Sequence, residues 1–189
     1  MTHTIVVFVG AHSSGKTTIG QQVATRLGWR FDDEVGYRLR LEVLRNDAKQ
    51  LADIPQESFD QRVCEIEMQR DLERSGNTVV ETWHLGNLAY VKARSPSMYS
   101  TLKTQIIKHL QTYQPVHILV VPLVITLETL IDRHHETVEN LSFFLRVGEL
   151  AMAEDLTVGM TVLEPVHTDD GSSINTIVQK ITDSIQDKL

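Results

Sequence analysis

Apolar positions along the chain fall into short unbroken runs separated by longer stretches with helical spacing. Ile5-Val6-Val7-Phe8-Val9 is continuous, largely β-branched and closed by Gly10. That is the pattern of a strand buried on both faces in a parallel sheet. Thr17–Leu27 places apolar or small residues at Ile19, Val23, Ala24 and Leu27, a helical spacing, and Gly28 follows as a C-cap. Trp29-Arg30-Phe31 reads as a short second strand running into Asp32-Asp33-Glu34. Tyr37–Ala52 reads as a helix with Leu41, Leu44 and Leu51 on one side. Pro55 opens another helix, which passes through Phe59, Val63, Ile66 and Leu72 to Ser75-Gly76-Asn77.

The same alternation continues. Thr78-Val79-Val80 predicts a third strand ending at Glu81, Ser100–Gln111 a helix, and Val116–Leu123 the most apolar strand. Leu127–His135 and Phe143–Leu156 predict two helices with a polar break around Glu136–Asn140. Thr161–Leu163 reads as a last strand and Ile174–Leu189 as a closing amphipathic helix. Strands alternating with helices predict an α/β layer architecture with a mostly parallel sheet. No internal repeat, low-complexity tract or Gly/Ser linker divides the 189 residues, so a single domain over 1–189 is expected.

Composition narrows the function classes. The 41% apolar and 23% charged fractions are those of a globular protein and argue against disorder or coiled coil. A net charge of −7 argues against duplex nucleic acid as a partner, since phosphate contacts need a surplus of Lys and Arg. Cys64 is the sole cysteine, so no intramolecular disulfide forms and a reducing compartment is expected. The start of the chain lacks a secretory signal pattern, and the Ile118–Ile125 run, interrupted by Pro122, is too short to span a bilayer. A cytoplasmic protein without a membrane partner is the expectation.

One motif changes this picture. Gly10-Ala11-His12-Ser13-Ser14-Gly15-Lys16-Thr17 fits G-x-x-x-x-G-K-[ST] at every fixed position and lies between a strand and a helix, the context that gives the pattern meaning. The glycines let the backbone turn tightly and approach a phosphate, and successive N–H groups form an anion nest. The helix that follows, from Thr17-Thr18, adds its positive end. Lys16 is placed to reach the β- and γ-phosphates and the Thr17 hydroxyl to ligate Mg²⁺. A local, preorganised set of donors holds a polyanion whatever the net charge.

The rest of the chain decides what is done with that phosphate. No N/T-K-x-D guanine signature is present, and Val79-Val80-Glu81-Thr82 is short for the long apolar strand, ending in Asp-Glu, of an ATP-driven machine. Three features favour a small-molecule kinase. Asp33 and Glu34 follow the second strand on the ligand side of a parallel sheet, where a carboxylate can orient an acceptor hydroxyl; a solvated turn or a helix cap would use the same residues. Glu81 ends the third strand, in place to hold Mg²⁺ or to contact substrate, and Trp83 or Tyr90 beyond it suits either ring stacking or the core. Arg133 and Arg146 lie on the helical pair after the most apolar strand. Their guanidinium forks would neutralise charge during transfer if the region of about 127–158 closes as a lid, and otherwise they are surface arginines. The adjacent His134 and His135 point about 100° apart on a helix, which is poor geometry for one shared metal. Cys64 reads as a buried small hydrophobe rather than a nucleophile.

On these residues the chain resembles a small P-loop kinase of the nucleoside and nucleotide kinase group. Gly15-Lys16-Thr17-Thr18-Ile19-Gly20 with Ala24, Leu27, Phe31 and Asp33 is similar to shikimate kinases, although Glu81-Thr82-Trp83-His84 stands where those carry a glycine triplet. Gly10–Thr18 with its Ser13-Ser14 pair, Glu34 before Arg38, Gln69 to Glu73, and Glu81-Thr82 resemble the ribosylnicotinamide-kinase-like AAA-type domains. Leu88-Ala89-Tyr90 resembles thymidylate kinases without their Asp-Arg-Tyr element. The resemblance implies a P-loop NTPase fold with a five-stranded sheet flanked by helices and a helical lid. It also implies ATP, Mg²⁺ and a hydroxylated small-molecule acceptor, with the His167–Ser172 loop framing adenine. The expected function is phosphoryl transfer to a nucleoside or nucleotide, with a shikimate- or gluconate-type acceptor, or an ATPase switch acting on a protein partner, as alternatives.

Overall fold

A computed structural model describes residues 3–46, 55–113, 117–133, 136–156 and 159–189. In chain order the elements are β1 (Thr4–Gly10), α1 (Lys16–Leu27), β2 (Arg30–Asp32), α2 (Val35–Asn46), α3 (Gln56–Glu73), β3 (Thr78–Glu81), α4 (Trp83–Arg94) and α5 (Pro96–Tyr113). Then follow β4 (His117–Val124), α6 (Leu127–Arg133), α7 (Val138–Met152), β5 (Met160–Val162), β6 (Val166–His167) and α8 (Ile174–Gln186). The strands lie in the order β2-β3-β1-β4-β5, and every pairing is parallel. The sheet has six strands rather than the five expected, because the two-residue β6 also pairs with β4. Pro122, which has no N–H to donate, falls between the β5 register at Ile118–Val120 and the β6 register at Leu123–Val124.

The unbroken apolar run of β1 is explained by its two packed faces. Ile5, Val7 and Val9 point into a core built with α4, α5 and α7, while Val6 and Phe8 point into one built with α1 and α8. Each such side chain contributes roughly 1.5–3 kcal/mol on burial. Gly28 ends α1 in the left-handed region as predicted, with φ 68°. On α2 the expected leucine face is corrected: Leu44 is exposed, and the helix packs on α3 through Val35 and Leu39 against Phe59 and Val63. Leu51 and Ala52 lie outside the described residues. On α3, Leu72 is 64% exposed.

Helix α4 was not foreseen. Trp83 to Ala89 is buried without a break, so it shows no polar face to give a period. The expected lid is also corrected in part. Val147, Gly148 and Ala151 of α7 are buried, and a Cβ on Gly148 would lie 2.5 Å from the Ala11 backbone nitrogen. This helix is therefore part of the core beneath the phosphate loop. Among the described residues no helix is long and apolar enough to cross a membrane.

Candidate active site

Parallel strands bring the C-terminal ends of β1, β2 and β3 to one edge of the sheet, where ligands of open α/β folds bind. The chain leaves β1 at Gly10 and re-enters helix at Lys16. The loop between them needs positive φ at Gly10, Ser13 and Gly15 (149°, 61° and 91°). At Gly10 a side chain would also collide with the Leu123 carbonyl oxygen, 2.4 Å from an added Cβ. Lys16 is buried, and its Nζ donates to the carbonyls of Gly10 (3.2 Å) and Ala11 (2.8 Å), so the ammonium is held over the loop. Ser14 Oγ is buried without a hydrogen-bond partner, and the His12 ring packs on Phe144 with centroids 4.9 Å apart.

Glu81 reaches the loop from the end of β3. The Thr17 hydroxyl lies 3.0 and 2.9 Å from its two carboxylate oxygens. Burial raises the Glu81 pKa; the Lys16 ammonium opposes that shift and the Glu34 carboxylate adds to it. Glu34 joins the same group through the Thr82 hydroxyl, which donates to its Oε2 at 3.4 Å. Asp33 lines the same cavity but also faces Arg38 at 3.4 Å, and its backbone carbonyl accepts from Arg70 at 2.9 Å.

The turn after Glu81 is strained. Thr82 and Trp83 have φ of 71° and 47° without being glycine, a conformation that costs on the order of 1–3 kcal/mol per residue. Backbone bonds from Thr82 N–H to Phe8 O (2.9 Å) and from Gly86 N–H to Thr82 O (2.9 Å) hold it. Asp71 of α3 holds it from the side, accepting from Trp83 Nε1 at 3.0 Å and from His84 Nε2 at 2.7 Å. Burial opposes ionisation of Asp71, but His84 and His109, with Arg74, outweigh it and keep the carboxyl well below its usual range. Trp83 is therefore a core residue, whereas Tyr90 lines the cavity.

The phosphate loop, α2, α3, α4 and the α6–α7 junction enclose a cavity of about 910 Å³. One group of lining residues surrounds the phosphate loop. Arg133 is in it, with Nη2 donating to the Thr168 carbonyl at 3.3 Å, and Thr168 and Ser172 of the loop before α8 line the cavity beside it. The other group comes from α2, α3 and α4. Asn87, Tyr90 and Arg94 share one face of α4, opposite Arg40, Phe59 and Asp60. Arg94 bonds Asp60 at 2.6 Å and stacks on Tyr90 at 4.6 Å, and Arg40 lies 5.7 Å above Phe59. Burial and Glu34 raise the Tyr90 pKa against the opposing charges of Arg94 and Arg40, so the phenol stays protonated.

The structure thus brings Lys16, Thr17, Asp33, Glu34, Glu81 and Arg133 to one cavity, together with His12–Thr18. Arg146 is the exception: it is exposed on α7 and does not line the cavity. His134 and His135 lie outside the described residues. Cys64 is buried, and burial first, then Asp60 and Glu67, pushes its thiol up to about 12, which keeps it unreactive. Arg40, Asn87 and Arg94 were missed. Once α4 is assigned, the i, i+3, i+7 spacing of Asn87, Tyr90 and Arg94 would have marked the face.

A family model described as an AAA domain matches residues 5–153. A comparison with curated proteins gives no match. Among solved structures, shikimate kinase from Aquifex aeolicus aligns at a TM-score of 0.57 with 14% identity, covering 97% of each chain. Deoxyadenosine kinase from M. mycoides aligns at 0.64 with 13% identity, covering 98% of this chain and 100% of its own. The NadR protein in complex with NR aligns at 0.61 with 18% identity, covering 98% of this chain and 50% of its own. The fold is that of the P-loop kinases.

Proposed function

The chain belongs to the AAA domain family, and from that premise we propose that it is an ATP-dependent phosphotransferase whose acceptor is a small hydroxylated metabolite, a nucleoside or nucleotide. The observation that carries this reading is the double lining of one cavity. Its volume, about 910 Å³, lies near the top of the roughly 300–1,000 Å³ range of small-molecule sites. One set of residues suits a triphosphate. A second, aromatic and guanidinium-bearing set faces it across Glu34. A switch that only hydrolyses ATP has no use for the second set.

Lys16 and the amides of residues 10–18 hold the phosphates. Thr17 and Glu81 supply hard oxygen donors side by side, 2.9 Å apart at the nearest, a donor set that fits Mg²⁺. Mg²⁺ bound there would neutralise charge on the phosphoryl oxygens. Glu34, with Asp33 beside it, orients the acceptor hydroxyl and takes its proton. Arg133 adds positive charge where the γ-phosphoryl leaves. Arg146 has no part in this reading. Thr168 and Ser172 frame the base of the nucleotide, and Phe59 and Tyr90 offer ring faces to the acceptor. Positioning and electrostatics supply the catalysis, because phosphoryl transfer asks for little covalent help.

A shikimate- or gluconate-type acid is the second reading, and Arg40 at the cavity favours it. An ATP-consumption screen against nucleosides, nucleotides and sugar or cyclitol acids tests both. Acceleration by a nucleoside or nucleotide supports the first reading, and acceleration by an acid alone replaces it with the second. A panel that leaves slow hydrolysis unchanged refutes both and favours the switch.

A further inference from the structure

Apart from the residues that line the cavity, α3, α4 and α5 close around ionisable side chains that phosphoryl transfer does not use. Asp71 Oδ2 lies 2.7 Å from His84 Nε2 and 2.9 Å from His109 Nε2. These three atoms all lie within 4.8 Å of one another. We propose that Asp71, His84 and His109 form a binding site for one zinc-type divalent transition-metal ion.

The donor set selects the metal. Two imidazoles and one carboxylate suit Zn²⁺, Co²⁺ or Ni²⁺ and not Mg²⁺ or Ca²⁺, which prefer all-oxygen shells. Three protein donors leave a fourth position for solvent. The surroundings orient two of the donors, Asp71 and His109, as outer partners of metal ligands do. Asp71 Oδ1 is held by Trp83 Nε1 at 3.0 Å and by Arg74, which leaves Oδ2 for the ion. The His109 ring is fixed by stacking on Tyr113, with centroids 5.6 Å apart and planes 11° from parallel.

A buried ionic network holds the carboxylate of Asp71 in place. Asp32, Glu67 and Asp71 are buried together, and the buried Arg74 bonds all three. Arg70, 3.7 Å from Asp32, and Arg30, 2.7 Å from it, bring the guanidinium count to three against three. Glu67 Oε2 is buried without a hydrogen-bond partner and lies 3.9 Å from Arg70 Nη1. Access comes through His109, whose side chain is 11% exposed on α5. The ion would tie α5 to His84, three positions after Glu81, and so brace the strained turn at the phosphate site. The inference stands on these residues alone and does not depend on the phosphotransferase reading.

The test is Co²⁺ titration of the full chain after chelator treatment. The expected result is one equivalent bound with the visible d–d bands of a four-coordinate ion, bands that Zn²⁺ removes. Zn²⁺ at a hundred times its dissociation constant should raise the thermal midpoint by about 5–10 °C. His109→Gln keeps a donor to Asp71 and should abolish the bands while leaving the circular dichroism and the ATP-dependent stabilisation intact. Absence of bands in the natural chain overturns the proposal. Equal bands in His109→Gln overturn it too, by placing the metal elsewhere. Should His109→Gln not fold, X-ray absorption of the zinc-loaded natural chain decides. A shell with two imidazoles supports the site, and any other count of imidazoles overturns it.

Discussion

Gly148→Ala is the change that tests most sharply how the phosphate loop is held. Gly148 lies on α7, inside the region of about 127–158 expected to close as a lid, yet its α-carbon faces the loop. An alanine Cβ there would sit 2.5 Å from Ala11 N and 3.0 Å from both Ala11 Cα and Gly10 C. Ordinary contact begins at 3.4 Å, so loop and helix must separate by about 0.9 Å. All three atoms are backbone, so no side chain can swing aside. Overpacking of this kind costs roughly 1–3 kcal/mol, which for a chain of this length lowers the melting midpoint by about 2–12 °C. A displacement near 1 Å in a positioning loop lowers the transfer rate by about 100-fold. Thermal unfolding with and without MgATP, and calorimetric ATP titration, measure both effects. Gly159→Ala, where nothing lies within 4 Å of the added carbon, is the control and should behave as the natural chain. If Gly148→Ala melts with the natural chain and binds ATP with unchanged affinity, α7 is not the floor of the loop and the reasoning fails.

Other changes probe the remaining parts of the site. Lys16→Ala should keep the circular dichroism spectrum and lose the ATP-dependent rise in melting temperature. Glu34→Gln should slow transfer by about 100-fold or more while leaving ATP affinity within a few-fold, as expected for a group that orients and deprotonates the acceptor; Asp33→Asn, whose carboxylate already faces Arg38, should have the smaller effect. Glu81 has a raised pKa, so ionising it costs the fold stability as pH rises through that value, and the cost is absent below its ordinary pKa. Glu81→Gln should therefore melt higher than the natural chain at pH 8 without nucleotide, converge with it in acid, and lose Mg²⁺-dependent ATP binding. A melting curve lower than the natural one at pH 8 would show that its bond to Thr17 outweighs burial.

What was legible in the sequence was local. β1, the loop and α1 announce themselves within 28 residues, because glycine punctuation, a β-branched run and helical spacing follow one another there. The acidic ends of β2 and β3 were legible for the same reason: the pattern of a parallel sheet places both strand ends beside the loop. What was missed depends on pairs far apart in the chain. Asp71 and His84 are 13 positions apart, and Asp71 and His109 38. Helix α4 hid because it is buried nearly all round, which removes the amphipathic period. Arg146 was expected at the lid, and Arg94 was not singled out. Only packing shows that one faces solvent and the other lines the cavity beside Asp60. Gly148 gave no signal, since a close approach by the backbone of another segment leaves no local mark.

The central claim is that the cavity passes a phosphoryl group to an organic acceptor and not to water. The direct measurement follows the label from γ-labelled ATP with Mg²⁺, in the presence of each nucleoside and nucleotide. The account predicts label in a phosphorylated organic product with one or a few related acceptors, and loss of that product in Glu34→Gln while ATP still binds. Label found solely in inorganic phosphate, at a rate no acceptor changes, would contradict it.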